Sequence, residues 1–183
     1  MGAPSEKIWP QSKICGRPDM IFVTVGNHYQ GFDRLIKKVD EIASRTSYDI
    51  LIQKGYSRYC PQSARYFDFV PIQTAMDYIR TSELVISHAG IGTIILCKEH
   101  GIPLILLPRK KKYGEHGTDH QVEIVKAIEE RRDDYIFVVY EEDQLEGKIA
   151  EVLTIKQKPV PRVNMGRANL INTIRAFIQE GER

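Results

Sequence analysis

Ser87-His88-Ala89-Gly90-Ile91-Gly92-Thr93 decides how this chain is read, because it separates two kinds of apolar segment. Before it, Leu84, Val85 and Ile86 form a short apolar run of the kind that makes a buried strand. After it, Ile94, Ile95, Leu96 and Cys97 open a helix-like stretch. Glycines at a strand-to-helix turn bring bare backbone N–H groups to a helix N-terminus, which is a ready site for phosphate. Further along, Gly114-Glu115-His116 and Asp119-His120-Gln121 follow another strand-like run. Their short polar side chains suit the gripping of hydroxyl groups, so the two clusters together predict a nucleotide-sugar site.

Strand-like runs recur outward from this stretch, at residues 21–25, 50–52, 67–70, 84–86, 104–107 and 136–139. Each is short and nearly continuous, as expected of strands buried on both faces of a parallel sheet. Between them, Phe32, Leu35, Ile36, Val39, Ile42 and Ala43 fall on one helix face. Val122, Val125, Ala127 and Ile128 predict another helix, and residues 145–153 a further one. The alternation predicts an α/β fold, a Rossmann-like parallel sheet with helices on both faces, over residues 20–157. Residues 1–19 hold Pro4, Pro10 and Pro18 with no apolar periodicity and are expected to be a poorly ordered leader. Pro159 and Pro161 then break the chain, and Leu170, Ile171, Ile174, Phe177 and Ile178 predict a closing amphipathic helix within residues 158–183. Its apolar face is expected to fold back on the domain or to dock onto a partner. A chain of 183 residues has room for one such domain and not for two.

The charge balance of 26 basic against 24 acidic residues leaves +2, which gives no electrostatic case for nucleic acid. Cys15, Cys60 and Cys97 are odd in number and widely spaced, favouring free thiols and a cytoplasmic setting. The apolar runs fall far short of the roughly 20 residues that a membrane-spanning helix needs.

In open α/β sheets ligands bind beyond the carboxyl ends of the strands, and the marked polar segments all fall there. Gly26-Asn27-His28-Tyr29-Gln30-Gly31 follows the first strand. It lacks both the dinucleotide glycine spacing and the Walker lysine. His88 reads first as a hydrogen-bonded structural residue. His116 and His120 are four apart and would share a helix face as zinc ligands. Gly114 and Gly117 argue against a helix there, so no metal is expected. The run Arg109-Lys110-Lys111-Lys112 reads as a solvated patch, or as a contact for an anionic sugar or lipid headgroup.

From Met20 to about Leu153 the chain resembles the C-terminal, donor-binding half of family 28 glycosyltransferases. The matching elements are Ile21-Phe22-Val23-Thr24-Val25-Gly26 with Phe32-Asp33-Arg34-Leu35, then Ser87-His88-Ala89-Gly90 with Gly92-Thr93. Gly101-Ile102-Pro103, Pro108-Arg109, Gly114-Glu115-His116 and Asp119-His120-Gln121 complete them. The resemblance is nearest to stand-alone members that pair with a second subunit, in dolichyl-diphosphate N-glycosylation and in bacterial exopolysaccharide synthesis, and the Gly-Glu-His and Asp-His-Gln elements favour the latter. It implies one half of a GT-B architecture. It also implies diphosphate contacts from Gly26, Asn27, His28, Ser87, His88, Gly90, Ile91, Gly92 and Thr93. Phe69 and Val70 stand where the family holds uracil. Arg109, Glu115, His116, Asp119, His120 and Gln121 stand around the sugar. Many members carry a ribose-binding glutamate three residues beyond Thr93, and here that residue is Leu96. Glu99, a turn further on, is expected to point away from the helix N-terminus.

The resemblance further implies an inverting displacement of UDP by an acceptor hydroxyl, driven by stabilising charge on the departing diphosphate without a metal or other cofactor. His28 is the candidate catalytic residue, assisting the leaving phosphate, while the base is expected on another chain. The implied donor is a UDP-sugar of the N-acetylglucosamine or glucuronic acid class, and the acceptor a lipid-diphosphate. The implied partner is a membrane-anchored, acceptor-binding subunit that recruits this chain to the cytoplasmic face. The alternative is a non-catalytic nucleotide-sugar-binding or adaptor subunit docking a membrane partner.

Overall fold

The structure, a computed structural model, describes residues 19–131 and 133–155. The expected leader lies outside the described residues except for Asp19, as does the expected closing helix of residues 158–183. Strands β1 (Met20–Thr24), β2 (Asp49–Gln53), β3 (Arg65–Phe67), β4 (Leu84–Ser87), β5 (Leu104–Leu106) and β6 (Ile136–Val138) alternate with helices except between β2 and β3. These are α1 (Asp33–Arg45), α2 (Ile72–Thr81), α3 (Ile91–His100), α4 (His120–Glu130) and α5 (Leu145–Leu153). The strands form one parallel sheet in the order β3-β2-β1-β4-β5-β6. The chain winds outward in one direction from β1 and in the other from β4, which is the Rossmann arrangement that the sequence predicts.

Strand β1 shows why its residues are apolar without alternation. Ile21 and Val23 pack with Leu35, Ile36, Ile149 and Val152 on the face covered by α1 and α5. Met20 and Phe22 point the other way, to Tyr78, Ile94 and Val125 of α2, α3 and α4. Phe22 is fully buried, and truncating such a ring to alanine costs about 3–5 kcal/mol. Helix α1 is amphipathic by the same logic, with Leu35, Ile36, Val39 and Ile42 buried, Asp33 in its first turn and Arg45 in its last. Those charges complement the helix dipole.

The sheet differs from the expected one at β3. The apolar run 67–70 is not the strand: β3 covers Arg65–Phe67, an edge whose three residues are all half-buried. Its register against β2 is fixed by pairing of Leu51 with Arg65 and by the Arg65–Asp49 ion pair at 2.5 Å. The run ends at Pro71, the N-cap of α2. That helix had no marked signature, because it buries Tyr78 and Ile79 and leaves Ile72 71% exposed.

Parallel strands need a crossover, and a helix usually supplies it. Between β2 and β3 the residues from 54 to 64 form no helix, so their backbone N–H groups need other partners. Asp40 of α1 provides them: its carboxylate accepts from Gln62, Ser63 and Ala64 N–H at 2.8–2.9 Å and from the Tyr59 hydroxyl at 2.8 Å. A buried acid on an otherwise apolar helix face is thus the substitute for a missing helix.

Candidate functional site

At the crevice where the winding reverses, between β1 and β4, lies a cleft of about 510 Å³. Its floor is the carboxyl ends of β1 and β2, through Thr24 and Gln53, and one wall is the N-terminal half of α3. Gly26, Asn27, His88, Gly90, Gly92 and Thr93 line it, which brings six of the nine expected diphosphate residues together. Gly90 is the N-cap of α3, and no side chain caps the helix. The first N–H groups of α3 therefore lack intrahelical acceptors and carry the positive end of the helix dipole. Ser87 lies beneath the cleft, wholly buried, its hydroxyl donating to Thr24 O at 3.0 Å. Ile91 begins α3, and His28 stands beside the cleft with its neighbour Asn27 in the lining.

The glycines have a second reason to be glycine. Gly26 has φ +68°, and a Cβ there would meet His88 Cε1 at 2.6 Å. A Cβ on Gly90 would meet His88 Nε2 at 2.4 Å. The imidazole of His88 is wedged between the two turns, with some surface left toward the cleft and Nδ1 at 3.3 Å from Ser87 Oγ. Burial first and the Arg109 charge second push it down to about 3, so it is neutral throughout the physiological range.

Val70 lines the cleft beside Ile72, Ala75, Met76 and Ile79, an apolar wall. Phe69, expected with it, is 43% exposed, its ring edge-on to Tyr56 at 4.9 Å. The cleft lining also includes Glu99, on the same side of α3 as Ile95 and Leu96 and near the C-terminal end of that helix. Residues three or four apart on a helix share a face. Glu99 is the one carboxylate among the described residues that line the cleft. Thr24, Gln53 and Met76 were missed from the sequence. Thr24 and Gln53 had a signal, each being the polar last residue of an apolar strand, bonded to the other at 3.1 Å.

The loop after β5 departs most from expectation. Arg109, placed in a solvated patch or against the sugar, is 0% exposed. Its guanidinium donates to the carbonyls of Val25, Gln30, Gly31 and Glu115 at 2.7–3.0 Å and lies 4.9 Å from the Phe32 ring centroid. Burial lowers it to about 10, opposed by Glu115, and it remains a cation at neutral pH. Glu115 is buried too, bidentate to Arg34 at 2.8 and 2.9 Å, while accepting from Lys110 N at 3.0 Å. Gln121 accepts from Arg109 N at 3.0 Å and Asp119 from Lys111 N at 2.8 Å. Through these bonds the four residues brace the loop after β5. His116, half-buried, and His120, exposed and 3.0 Å from Glu123, keep their rings at the surface. Among the described residues no group of three or more histidines, cysteines or acids is arranged to hold a metal. No helix among them is long and apolar enough to cross a membrane.

The family model for the glycosyltransferase family 28 C-terminal domain matches residues 20–180, running on through the part that the sequence reading set apart as linker and closing helix. No curated protein sequence matches the chain. Among solved structures, the glycotransferase of kitacinnamycin superposes with a TM-score of 0.56 at 15% identity, over 85% of this chain and 40% of its own. MurG of Acinetobacter baumannii gives 0.53 at 14%, over 75% and 42%. ALG13 gives 0.51 at 19%, over 78% of this chain and 88% of its own. At these identities the likeness is one of fold, and the chain spans about 40% of the length of the first two.

Proposed function

Because the chain belongs to the glycosyltransferase family 28 C-terminal domain family, we propose that it is the nucleotide-sugar-binding, catalytic subunit of an inverting glycosyltransferase, drawing on a UDP-sugar. The observation that carries this reading is the uncapped N-terminus of α3 opening into the cleft between β1 and β4. Backbone N–H groups there are fixed before any ligand arrives, so charge developing on a departing diphosphate is met without reorganisation. Thr93 adds a hydroxyl beside them, and neutral His88 stiffens the turn from behind. The wall of Val70, Ile72 and Met76 suits the face of a uracil, and Glu99 is the acceptor offered to ribose hydroxyls in place of the Leu96 position.

The acceptor-binding half is assigned to a membrane-anchored partner at the cytoplasmic face, presenting a lipid-diphosphate acceptor. The support is the resemblance of the Gly-Glu-His and Asp-His-Gln elements to the paired branch. The donor class is N-acetylglucosamine or glucuronic acid. Asp119 and His120, and not the buried Arg109, are the exposed side chains for the sugar.

Calorimetric titration with UDP and a panel of UDP-sugars tests the reading, followed by turnover with and without the co-expressed partner. Saturable UDP binding and partner-dependent transfer are expected. No binding of UDP overturns it, and binding without transfer in the complex leaves a non-catalytic donor-binding subunit.

A further inference from the structure

Three neighbouring strands end together on a polar residue, β2 on Gln53, β1 on Thr24 and β4 on Ser87, paired in register across the sheet. The strands on either side, β3 and β5, end on Phe67 and Leu106. The polar row is thus confined to the strands at the foot of the cleft. Thr24 and Gln53 belong to the cleft lining, and each is only 4% exposed.

Hydrogen bonding gives the row a direction. Gly26 N–H donates to Thr24 Oγ1 at 3.2 Å, and the Thr24 hydroxyl donates to Gln53 Oε1 at 3.1 Å. The carbonyl end of the Gln53 amide is therefore turned toward β1 and held there. Its Nε2 carries two N–H groups, one of which reaches Asn27 Oδ1 at 3.5 Å, near the outer limit of a hydrogen bond. A bond of that length is exchanged for a shorter one at little cost, so Gln53 enters the cleft as an oriented donor.

The place of that donor narrows what it meets. Gln53 pairs with Phe67, three residues before Val70, and so adjoins the apolar wall of Val70, Ile72, Met76 and Ile79. That wall carries no side-chain donor. A heterocycle laid on it has its face covered and its polar edge without a partner, and a buried edge left unpaired costs affinity. His88 is wedged between the glycine turns, and Thr93 and Glu99 stand on α3, the other wall.

We propose that Gln53 reads the edge of the nucleobase, Nε2 donating to O4 of uracil, and that Thr24 is the positioning residue that keeps this amide from flipping. This rests on the nucleotide-sugar reading above and adds a specificity-determining side chain to it. Cytosine presents the N4 amino group where uracil presents O4, which sets donor against donor. The pair Thr24 and Gln53 therefore selects uracil over cytosine, and does so without the phosphates.

Calorimetric titration of the full chain with UDP and CDP, and shift titration with uridine by nuclear magnetic resonance, test this. UDP is expected to bind about tenfold tighter than CDP or better, the cost of leaving two donors unpaired. Gln53→Leu is expected to weaken UDP and uridine by the same factor, about tenfold, and to bring the ratio of UDP to CDP affinity near one. Thr24→Val frees the amide to turn its oxygen to the ligand and is expected to lower that ratio as well, whereas Thr24→Ser, which keeps the hydroxyl, retains it. A merely structural role for Thr24 would weaken both nucleotides alike, and that result overturns its positioning role. Thermal melting checks that each variant folds, and Gln53→Met replaces Gln53→Leu if the latter does not. UDP weakened with uridine unchanged assigns Gln53 to the phosphates and overturns the base reading, as does a ratio that Gln53→Leu leaves unaltered. Equal binding of UDP and CDP by the wild-type chain sinks the base reading alone. A wild-type chain that binds neither sinks it together with the proposed function.

Discussion

At Gly90 the fold has no room for a methyl group, since His88 Nε2 stands 2.4 Å from where it would sit. Gly90→Ala is expected to lower stability by about 1–3 kcal/mol, the usual cost of overpacking. Combined with His88→Ala it should cost less than the sum of the two single changes, because the second removes what the first collides with. Equilibrium denaturation of the four proteins reads this directly, and strict additivity would show that the contact is not the cause. The same histidine sets a pH dependence. Its folded value of about 3 lies below the ordinary 6.5, so the unfolded chain takes up a proton that the folded chain refuses. Stability should therefore fall as pH drops from about 6.5 toward 3. His88→Gln should flatten the upper part of that fall in urea melts at pH 7 and pH 5. The glycines of this turn were legible in the sequence as a strand-to-helix turn that opens α3. Their packing against His88 was not, because a side chain folding back over its own turn leaves no periodic trace.

Two motifs that stand far apart in the sequence prove to be halves of one contact. Arg34 of the Phe-Asp-Arg-Leu element opens α1, and Glu115 of the Gly-Glu-His element lies in the loop after β5. Each was visible singly, and nothing in periodicity or composition pairs a helix-start arginine with a loop glutamate. The strands were legible because burial on both faces leaves a continuous apolar run, whereas β3 and α2 at the sheet's margin bury too little to leave a signature. Arg109 was misplaced for a related reason: in a run of four basic residues, sequence gives no sign of which one turns inward. Arg109→Met is expected to destabilise by about 3 kcal/mol or more, since it strands carbonyls that the guanidinium satisfied. Glu115→Ala should cost about 1–3 kcal/mol by breaking the bidentate pair with Arg34, which keeps Glu142 at 2.9 Å, and by removing the acceptor of the Lys110 N–H. Chemical denaturation checks both. Asp40→Asn should loosen the crossover from residue 54 to 64, raising amide exchange at Gln62, Ser63 and Ala64 before the rest of the sheet. The Asp40 carboxyl is held below its ordinary 3.8, because the N–H groups of Gln62 and Ala64, the Tyr59 hydroxyl and the Ser63 N–H together outweigh burial, which alone would raise it. Its stabilisation is thus complete above pH about 4 and lost as pH falls through the folded value.

For the whole molecule, a ligand that binds only the folded chain raises its stability in proportion to saturation. UDP at a hundred times its dissociation constant should add about 2.7 kcal/mol, seen as a rise in melting temperature. A melting temperature indifferent to UDP would remove the nucleotide from this cleft. The Arg34 to Glu115 bridge has a consequence in time as well. It joins residues 81 apart in the chain, and contacts of such separation close late, after local helices and neighbouring strands have paid the entropy of bringing the ends together. During refolding, far-ultraviolet ellipticity should return ahead of amide protection in the loop after β5. For that interval a newly made chain has its sheet while the loop after β5 still hangs loose, a piece of backbone open to proteases that the finished fold has closed off.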